Sequence, residues 1–358
     1  MTRRVLLTSG GTGVGNAVLT AIRRSAHAYT AATTNAEPFH SGVFRADACR
    51  LAPASEQDPD EWSRTVLSMA EEEGARLVIP CRDRDVPALA RIRDELRARG
   101  AVAVCPDQEL AAACLDKMET AALLEEIGLS AAATVLAGDA DAVDHLVRTR
   151  GFPVIVKPRR GTGTVGVRLV WTAEALASFI ALAADRAHEW IVQEYLPIEG
   201  PLHSVTQYTE LAQDREYSIQ VLFDADGCIT TWMATVNTLE NGLPVAARFD
   251  RSPAVAASVA RLPQPFRGMS GPLNLQGRMR GDEIVFFEVN ARCTGLTGSR
   301  TFFGLNEVDV FWDTLVERRP APEVVYNADI CIYRQLEDTA FAVDDLRRLS
   351  ESRQWRRR

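Results

Sequence analysis

Short unbroken apolar runs alternate with helical stripes through the first part of the chain. Val5-Leu6-Leu7-Thr8 reads as a buried strand, and the loop Ser9-Gly10-Gly11-Thr12-Gly13-Val14-Gly15 follows it. From Asn16 the spacing turns helical, with Val18, Leu19 and Ile22 inward. Leu77-Val78-Ile79-Pro80 repeats the strand signal, residues 86–99 read as a helix stopped by Gly100, and 101–104 as a further strand. Strands alternating with helices predict a parallel sheet with helices on both faces. Residues 107–128 are predicted as one helix, with Leu110, Leu115, Met118, Leu123, Leu124 and Ile127 on or near one stripe.

The middle of the chain changes character. Phe152-Pro153-Val154-Ile155-Val156-Lys157-Pro158 is an apolar strand ending in a lysine, and a loop of glycine and threonine, 161–166, leads to a return strand at 168–170. A helix over 173–184 and a strand over 190–196 come next, then a long polar segment, 198–214. Strand 215–223 turns at Asp224-Ala225-Asp226-Gly227 and returns over 229–233, and a helix is predicted over 308–317. Leu273-Asn274-Leu275-Gln276 and Phe287-Glu288-Val289-Asn290-Ala291-Arg292 flank a polar turn around Gly281. With a three-residue loop, Arg280-Gly281-Asp282, Asn274 lies opposite Glu288, and Gln276 and Asn290 point to the same side.

Composition narrows the class. The chain has 358 residues, 46% hydrophobic and 25% charged, enough for two or three compact soluble domains. A net charge of −8 argues against a nucleic-acid wrapper, and the basic end, Arg353 and Arg356-Arg357-Arg358, reads as a solvated, frayed tail. The seven cysteines are scattered without a Cys-x-x-Cys pair, the five histidines have no zinc spacing, and Cys293 reads as a buried packing residue. The N-terminus reads as a first strand, not a signal peptide. No run is apolar and long enough for a bilayer, so cytoplasm is the expected location.

One carboxylate and amide oxygens on a shared face, with Arg292 just beyond, suit magnesium, which takes oxygen donors and keeps sites for water and phosphate. The same pattern also fits a polar sheet face without metal. The loop after Lys157 can close backbone N–H groups over phosphates, although it is no Walker A motif. The first glycine loop lacks the Gly-x-Gly-x-x-Gly spacing of dinucleotide sites, and reads better as a substrate-facing loop at a helix N-terminus.

In order, these pieces resemble the ATP-grasp superfamily, in its carbamoyl-phosphate-synthetase-like branch of carboxylate–amine ligases, from Val5 to about Phe311. The resemblance implies an α/β and α+β architecture: a Rossmann-like preATP-grasp domain (1–106), lobe A with a glycine-rich lid (107–188), lobe B with a metal site (189–330) and a C-terminal extension (331–358). Lys117 and Lys157 match the two ATP lysines, and Gly161, Thr162, Gly163 and Gly166 lie in the lid. Glu194, Tyr195 and Leu196 match the hinge beside adenine, through Glu194 and the Leu196 backbone. Glu216 matches the ribose acid. Gln276, Glu288 and Asn290 match the magnesium ligands, and Arg292 the arginine that steadies the γ-phosphate and the acyl-phosphate. ATP with two Mg2+ ions, replaceable by Mn2+, and small carboxylate and amine substrates are implied, as is a homodimer through the first domain, with no nucleic acid or membrane partner.

The pattern departs from the family in two places. Residues 197–214 lengthen the hinge-to-ribose distance, and Gln276 stands where many relatives place an acid. The expected reaction joins a carboxylate to an amine, on amino acids or small peptides. Phosphoryl transfer without ligation and a non-catalytic nucleotide-binding module are the alternatives. No general base is evident. Asp83 or Asp85 would serve, against the simpler reading of Arg82-Asp83-Arg84-Asp85 as a surface ion-pair network. Arg248 or Arg251 would suit a substrate carboxylate.

Overall fold

The computed structural model describes residues 2–161, 165–196, 213–240, 242–264, 266–335 and 337–357, with side chains from 216 onward in the third of these stretches. Strands β1 (Arg3–Thr8), β2 (Tyr29–Asn35), β3 (Ala48–Leu51), β4 (Leu77–Pro80) and β5 (Val102–Ala103) form a parallel sheet in the order β3-β2-β1-β4-β5. Its apolar strands are buried on both faces by helices such as Gly13–Arg24 and Pro59–Glu72. The first of these begins in the glycine loop, where Thr12 caps it by accepting from Gly15 N. Gly15 is required there, since a Cβ would stand 2.3 Å from Gly10 O.

A second, antiparallel sheet holds β6 (Thr134–Leu136), β7 (Val154–Pro158), β8 (Arg168–Val170) and β9 (Trp190–Glu194), in the order β6-β9-β7-β8. The third contains β10 (Gln213–Phe223), β11 (Ile229–Glu240), β12 (Leu243–Asp250), β13 (Gly271–Arg280), β14 (Glu283–Asn290) and β15 (Cys331–Tyr333), in the order β14-β13-β10-β11-β12-β15. Three expected boundaries therefore move. Strand β9 belongs to the second sheet, because it pairs with β6 and β7, so the lobe boundary lies after Glu194 and not at 189. The expected extension contributes β15 to the third sheet through β12. The helices of residues 107–128 pack on the third sheet, where Leu110, Ala111 and Leu124 share a core with Ile284 and Phe286.

Those residues form two helices, Gln108–Leu115 and Lys117–Glu126, rather than one. Asp116 breaks the run: its backbone is extended, and its carboxylate accepts from Met118 N, Arg159 Nε and Arg160 Nε. The helix expected over 86–99 likewise divides, at Ile92, into Asp85–Arg91 and Arg93–Ala98.

The basic end is no frayed tail. Strand β16 (Gln354–Arg356) pairs antiparallel with β3 and closes that edge of the first sheet. Trp355 supplies the driving force: it is buried against Phe44, ring centroids 5.4 Å apart, in a cluster with Val43, Cys49 and Leu349. Arg356 pairs with Glu73, and Arg357 Nη2 donates to Phe44 O at 2.8 Å. No described helix is long and apolar enough to cross a membrane.

Candidate active site

The hairpin of β13 and β14 sets the site, and its register differs from the expected one. The turn has two residues, with Arg280 opposite Glu283, and a bulge lies between Gln276 and Gly277. Asn274 therefore faces Asn290 and Gln276 faces Glu288, a shift of two residues from the expected pairing of Asn274 with Glu288. Because side chains alternate, a shift of two keeps all four on one face. The bulge is what preserves this: were the register near the turn continued, Gln276 would oppose Phe287, and Glu288 and Asn290 would turn to the other face. The extra residue, Phe287, faces the cations instead, with Lys157 Nζ and the Arg278 guanidinium each 5.9 Å from its ring centroid.

These side chains touch. Asn290 Nδ2 donates to Gln276 Oε1 at 3.2 Å and more weakly to Glu288 Oε1 at 3.4 Å, and Arg292 Nη2 donates to Asn290 Oδ1 at 3.3 Å. Gln276 Nε2 donates to Glu216 Oε1 at 3.1 Å, so Glu216, expected at a ribose, sits against the magnesium candidates. Burial pushes its carboxyl up to about 7, and nearby Glu288 adds to this against the pull of Arg278. Behind them Asn274 Nδ2 donates to Ser218 Oγ, which also accepts from Arg300, itself paired at 2.7 Å with Glu307 in full burial. Asn274 Oδ1 has no partner among the described residues and lies at the cavity wall. One carboxylate, amide oxygens and a buried unpartnered oxygen form an oxygen-rich wall, which fits a hard divalent cation.

Opposite lie the two lysines. Lys157, at the end of β7, is buried, with Nζ 3.5 Å from Phe287 O. Burial lowers its ammonium to about 7 and Lys117 lowers it further, while Glu288 opposes. Lys117 opens its helix and donates through Nζ to Gly161 O at 3.0 Å, at the root of the glycine-rich loop. Gly166 is described, at φ +77°, whereas Thr162 and Gly163 lie outside the described residues, as do 197–212. At the hinge, the Glu194 carboxylate is committed to the protein: it accepts from Ala133 N and Arg280 and pairs with Arg150 at 3.2 Å. The Leu196 carbonyl accepts from Arg278 Nη1 at 2.9 Å. The Glu194 carboxylate thus fastens the hinge to β13, the Glu194 backbone N–H donates to Ala133 O at 2.8 Å, and Glu194, Tyr195 and Leu196 all line the cavity.

The first sheet reaches the same place. Asp83 receives Arg292 Nε at 2.6 Å and Nη2 at 2.9 Å, a bidentate pair. Burial opposes the Arg292 charge, and Asp83 and Glu288 outweigh it, holding the guanidinium above its ordinary pKa. The expected surface network thus fails for Asp83, whose partner is Arg292, and holds for Asp85 only as a 3.8 Å contact with Arg82 made from a buried carboxylate. Asp85 is fully buried, accepting from Thr8, Ser9 and Ser55, with its carboxyl raised by burial. Neither Arg248 nor Arg251 lines the cavity; Arg251 stacks on Tyr326, 4.0 Å from the ring centroid. Cys293 is buried and its thiol pushed up, as a packing residue should be.

One cavity of about 490 Å³ joins these parts, lined by Thr12 and Gly13 from the first sheet, the lysines, the hinge and the polar wall of the third sheet. Arg278 and Arg334 also line it. Arg278 continues the alternation of Asn274 and Gln276 along β13, a signal present in the sequence, whereas nothing in the spacing marks Arg334, a single cation after a three-residue strand.

Residues 116–264 match the family described as carbamoyl-phosphate synthase L chain, ATP binding domain. No curated protein matches the chain by sequence. Among solved structures, an ADP complex of N5-carboxyaminoimidazole ribonucleotide synthetase is similar over 91% of this chain and 79% of its own, at 15% identity and TM-score 0.66. The same enzyme from Thermus thermophilus gives 89% and 79% coverage, 15% identity and TM-score 0.63. Biotin carboxylase from Campylobacter jejuni, in an ATP-analogue complex, gives 86% and 69%, 16% identity and TM-score 0.60.

Proposed function

We propose that the chain is an ATP-grasp protein of the carbamoyl-phosphate-synthetase-like branch, a reading supported by the family match over residues 116–264 and the fold likeness, and that it is an ATP-dependent carboxylate–amine ligase acting on amino acids or small peptides. The observation that carries this reading is the shared cavity, where Lys117, Lys157 and the hinge face Gln276, Glu288, Asn290 and Arg292.

A carboxylate is a poor electrophile. Its oxygen attacks the γ-phosphorus of ATP, ADP leaves, and an acyl-phosphate forms. The amine nitrogen then attacks the acyl carbon, the C–O bond electrons leave with inorganic phosphate, and the nitrogen gives up a proton. In such transfers the protein mainly positions the groups and offsets charge. Lys157 and Arg292, which both line the cavity near Glu288, would offset charge on the moving phosphoryl group. Lys117 ties its helix to the loop root through Gly161 O. Glu288, Asn290 and Gln276 would hold magnesium, which supplies further positive charge when bound. Asp83 holds the Nε–Nη2 edge of the Arg292 guanidinium, Nη2 also donates to Asn290 Oδ1 and Nη1 to Cys293 O at 2.9 Å, so one Nη1 N–H and the planar face are left for a ligand.

Incubation with ATP, magnesium and pairs of amino acids is expected to release ADP and phosphate in step with an amide product. Release of AMP and pyrophosphate would contradict the mechanism. Hydroxylamine trapping of a hydroxamate reports the acyl-phosphate directly.

A further inference from the structure

On the cavity wall stands an arginine that no described carboxylate answers. Arg334 directly follows β15, and its backbone N–H donates to Val245 O at 2.7 Å, holding it on the edge of β12. Its Nη1 donates to Pro244 O at 2.8 Å. Both terminal guanidinium nitrogens lie 3.8 Å from where a side chain on Gly295 would begin. Arg334 thus reaches from the edge of the third sheet to the loop that follows Arg292, and glycine at 295 leaves the space beside it open.

The other arginines of the wall are answered. Arg292 has Asp83, Arg82 has Glu56, and Arg278 lies beside Glu216. Arg334 is half-buried, and burial alone lowers its pKa, with no acidic neighbour among the described residues to oppose the effect. A charge withdrawn from water without a partner is unfavourable. A cavity that keeps one there is shaped to receive an anion, and a planar guanidinium fits a carboxylate through two parallel hydrogen bonds.

We propose that Arg334 binds the free α-carboxylate of an amino acid that serves as the amine substrate. The inference rests on the ligase reading and deepens it. The carboxylate that is phosphorylated must lie at Arg292 and Lys157, so a second anion site on the same cavity calls for a second carboxylate. The three residue steps from Arg292 to Gly295 span at most about 10 Å. Two small substrates can therefore lie between the arginines, the acyl carbon at one and the α-carboxylate of the attacking amine at the other. The product keeps that carboxylate, and is an N-acylated amino acid or a dipeptide.

The test compares pooled L-amino acids with the matching pooled amino-acid amides, each with ADP and magnesium, by thermal shift on the full chain. The acids are expected to raise the wild-type Tm and the amides to leave it unchanged. Arg334→Gln should lose the response to acids, and Arg334→Lys should keep part of it. In turnover, Arg334→Gln should raise the KM for the amino acid by about 10- to 100-fold, as for a lost charged hydrogen bond, with the KM for ATP unchanged. Equal shifts from acids and amides, no shift from either pool, or an unaltered response in Arg334→Gln would overturn the assignment. Should the glutamine variant fail to fold, its own Tm shows it, and the wild-type comparison with the lysine variant still decides. ADP release with the same pools judges the ligase reading separately: acids that bind selectively without forming ADP would sink ligation and leave the anion site standing.

Discussion

Asp83, in the loop after the fourth strand of the first sheet, grips Arg292 of the third sheet with both carboxylate oxygens, at 2.6 and 2.9 Å. Two loops far apart in sequence, one after the first sheet's fourth strand and one after the third sheet's β14, thus share one guanidinium at the cavity wall. Asp83 touches no reacting atom in this arrangement and acts through Arg292. Asp83→Asn keeps the shape and one acceptor but removes the charge. It is expected to lower kcat by roughly 10- to 100-fold, the effect of a misplaced catalytic group, while the KM for ATP stays near wild type. Steady-state kinetics alongside a melting curve checks this. A lower Tm with an unchanged kcat would reduce Asp83 to a structural tie.

Glu288 is the one carboxylate among the three expected magnesium ligands, opposite Gln276 and two residues from Asn290. Glu288→Gln removes a charge at constant shape. Magnesium-dependent turnover should fall by at least about 100-fold, in line with removal of a main electrostatic stabiliser, and the Tm should change little. A normal rate at saturating magnesium would show that the cation is held elsewhere.

The parity of the polar wall was legible in the chain, because Asn274 and Gln276, like Glu288 and Asn290, are two apart and strand side chains alternate. Their register was missed although it left traces: it depends on a two-residue turn, Gly281-Asp282, a pair suited to tight hairpins, and on a bulge beside Gly277, a lone glycine inside a strand. Lys157 stood out as the end of an apolar strand, whereas Lys117 lay within a helical stripe and was marked only by the family resemblance, and the break at Asp116 beside it was hidden inside that continuous stripe. Its cause is tertiary, the arrival of Arg159 and Arg160. Asp83 and Asp85 look alike in sequence. Only the packing of the loop sends one to Arg292 and buries the other among hydroxyl groups. The buried end of the chain had a clue that charge obscured: Trp355 is a large apolar residue within a basic segment.

Lys157 links the site to proton balance. Burial lowers its folded pKa to about 7, below the unfolded value, so the unfolded chain binds more protons between the two values. Stability of the ligand-free protein should therefore rise with pH above about 7 toward the ordinary lysine range. Phosphate oxygens next to the nitrogen favour its charged form. At pH 8 a group with a pKa near 7 is mostly neutral, so ATP binding should take up roughly 0.9 proton if it restores the charge. Titration calorimetry in two buffers of different ionisation enthalpy measures the uptake, and Lys157→Met should abolish it. Equal uptake by wild type and variant would place the titrating group elsewhere.

Gly277 ties the fold to the chemistry most directly. It is the residue after the bulge, and a Cβ there would stand 2.5 Å from Val285 O, 2.8 Å from Ile284 Cγ2 and 3.0 Å from Phe286 Cδ1. Backbone on one side and two buried side chains on the others leave little room to give. Gly277→Ala should cost about 1–3 kcal/mol through overpacking. The strain falls on the one irregularity that turns Glu288 and Asn290 to the face of Gln276. Turnover and magnesium affinity should therefore fall together, and by more than the loss of folded protein accounts for. Kinetics at a temperature where circular dichroism shows the variant fully folded separates the two effects. Full activity of that folded variant would mean that the bulge does not set the polar face.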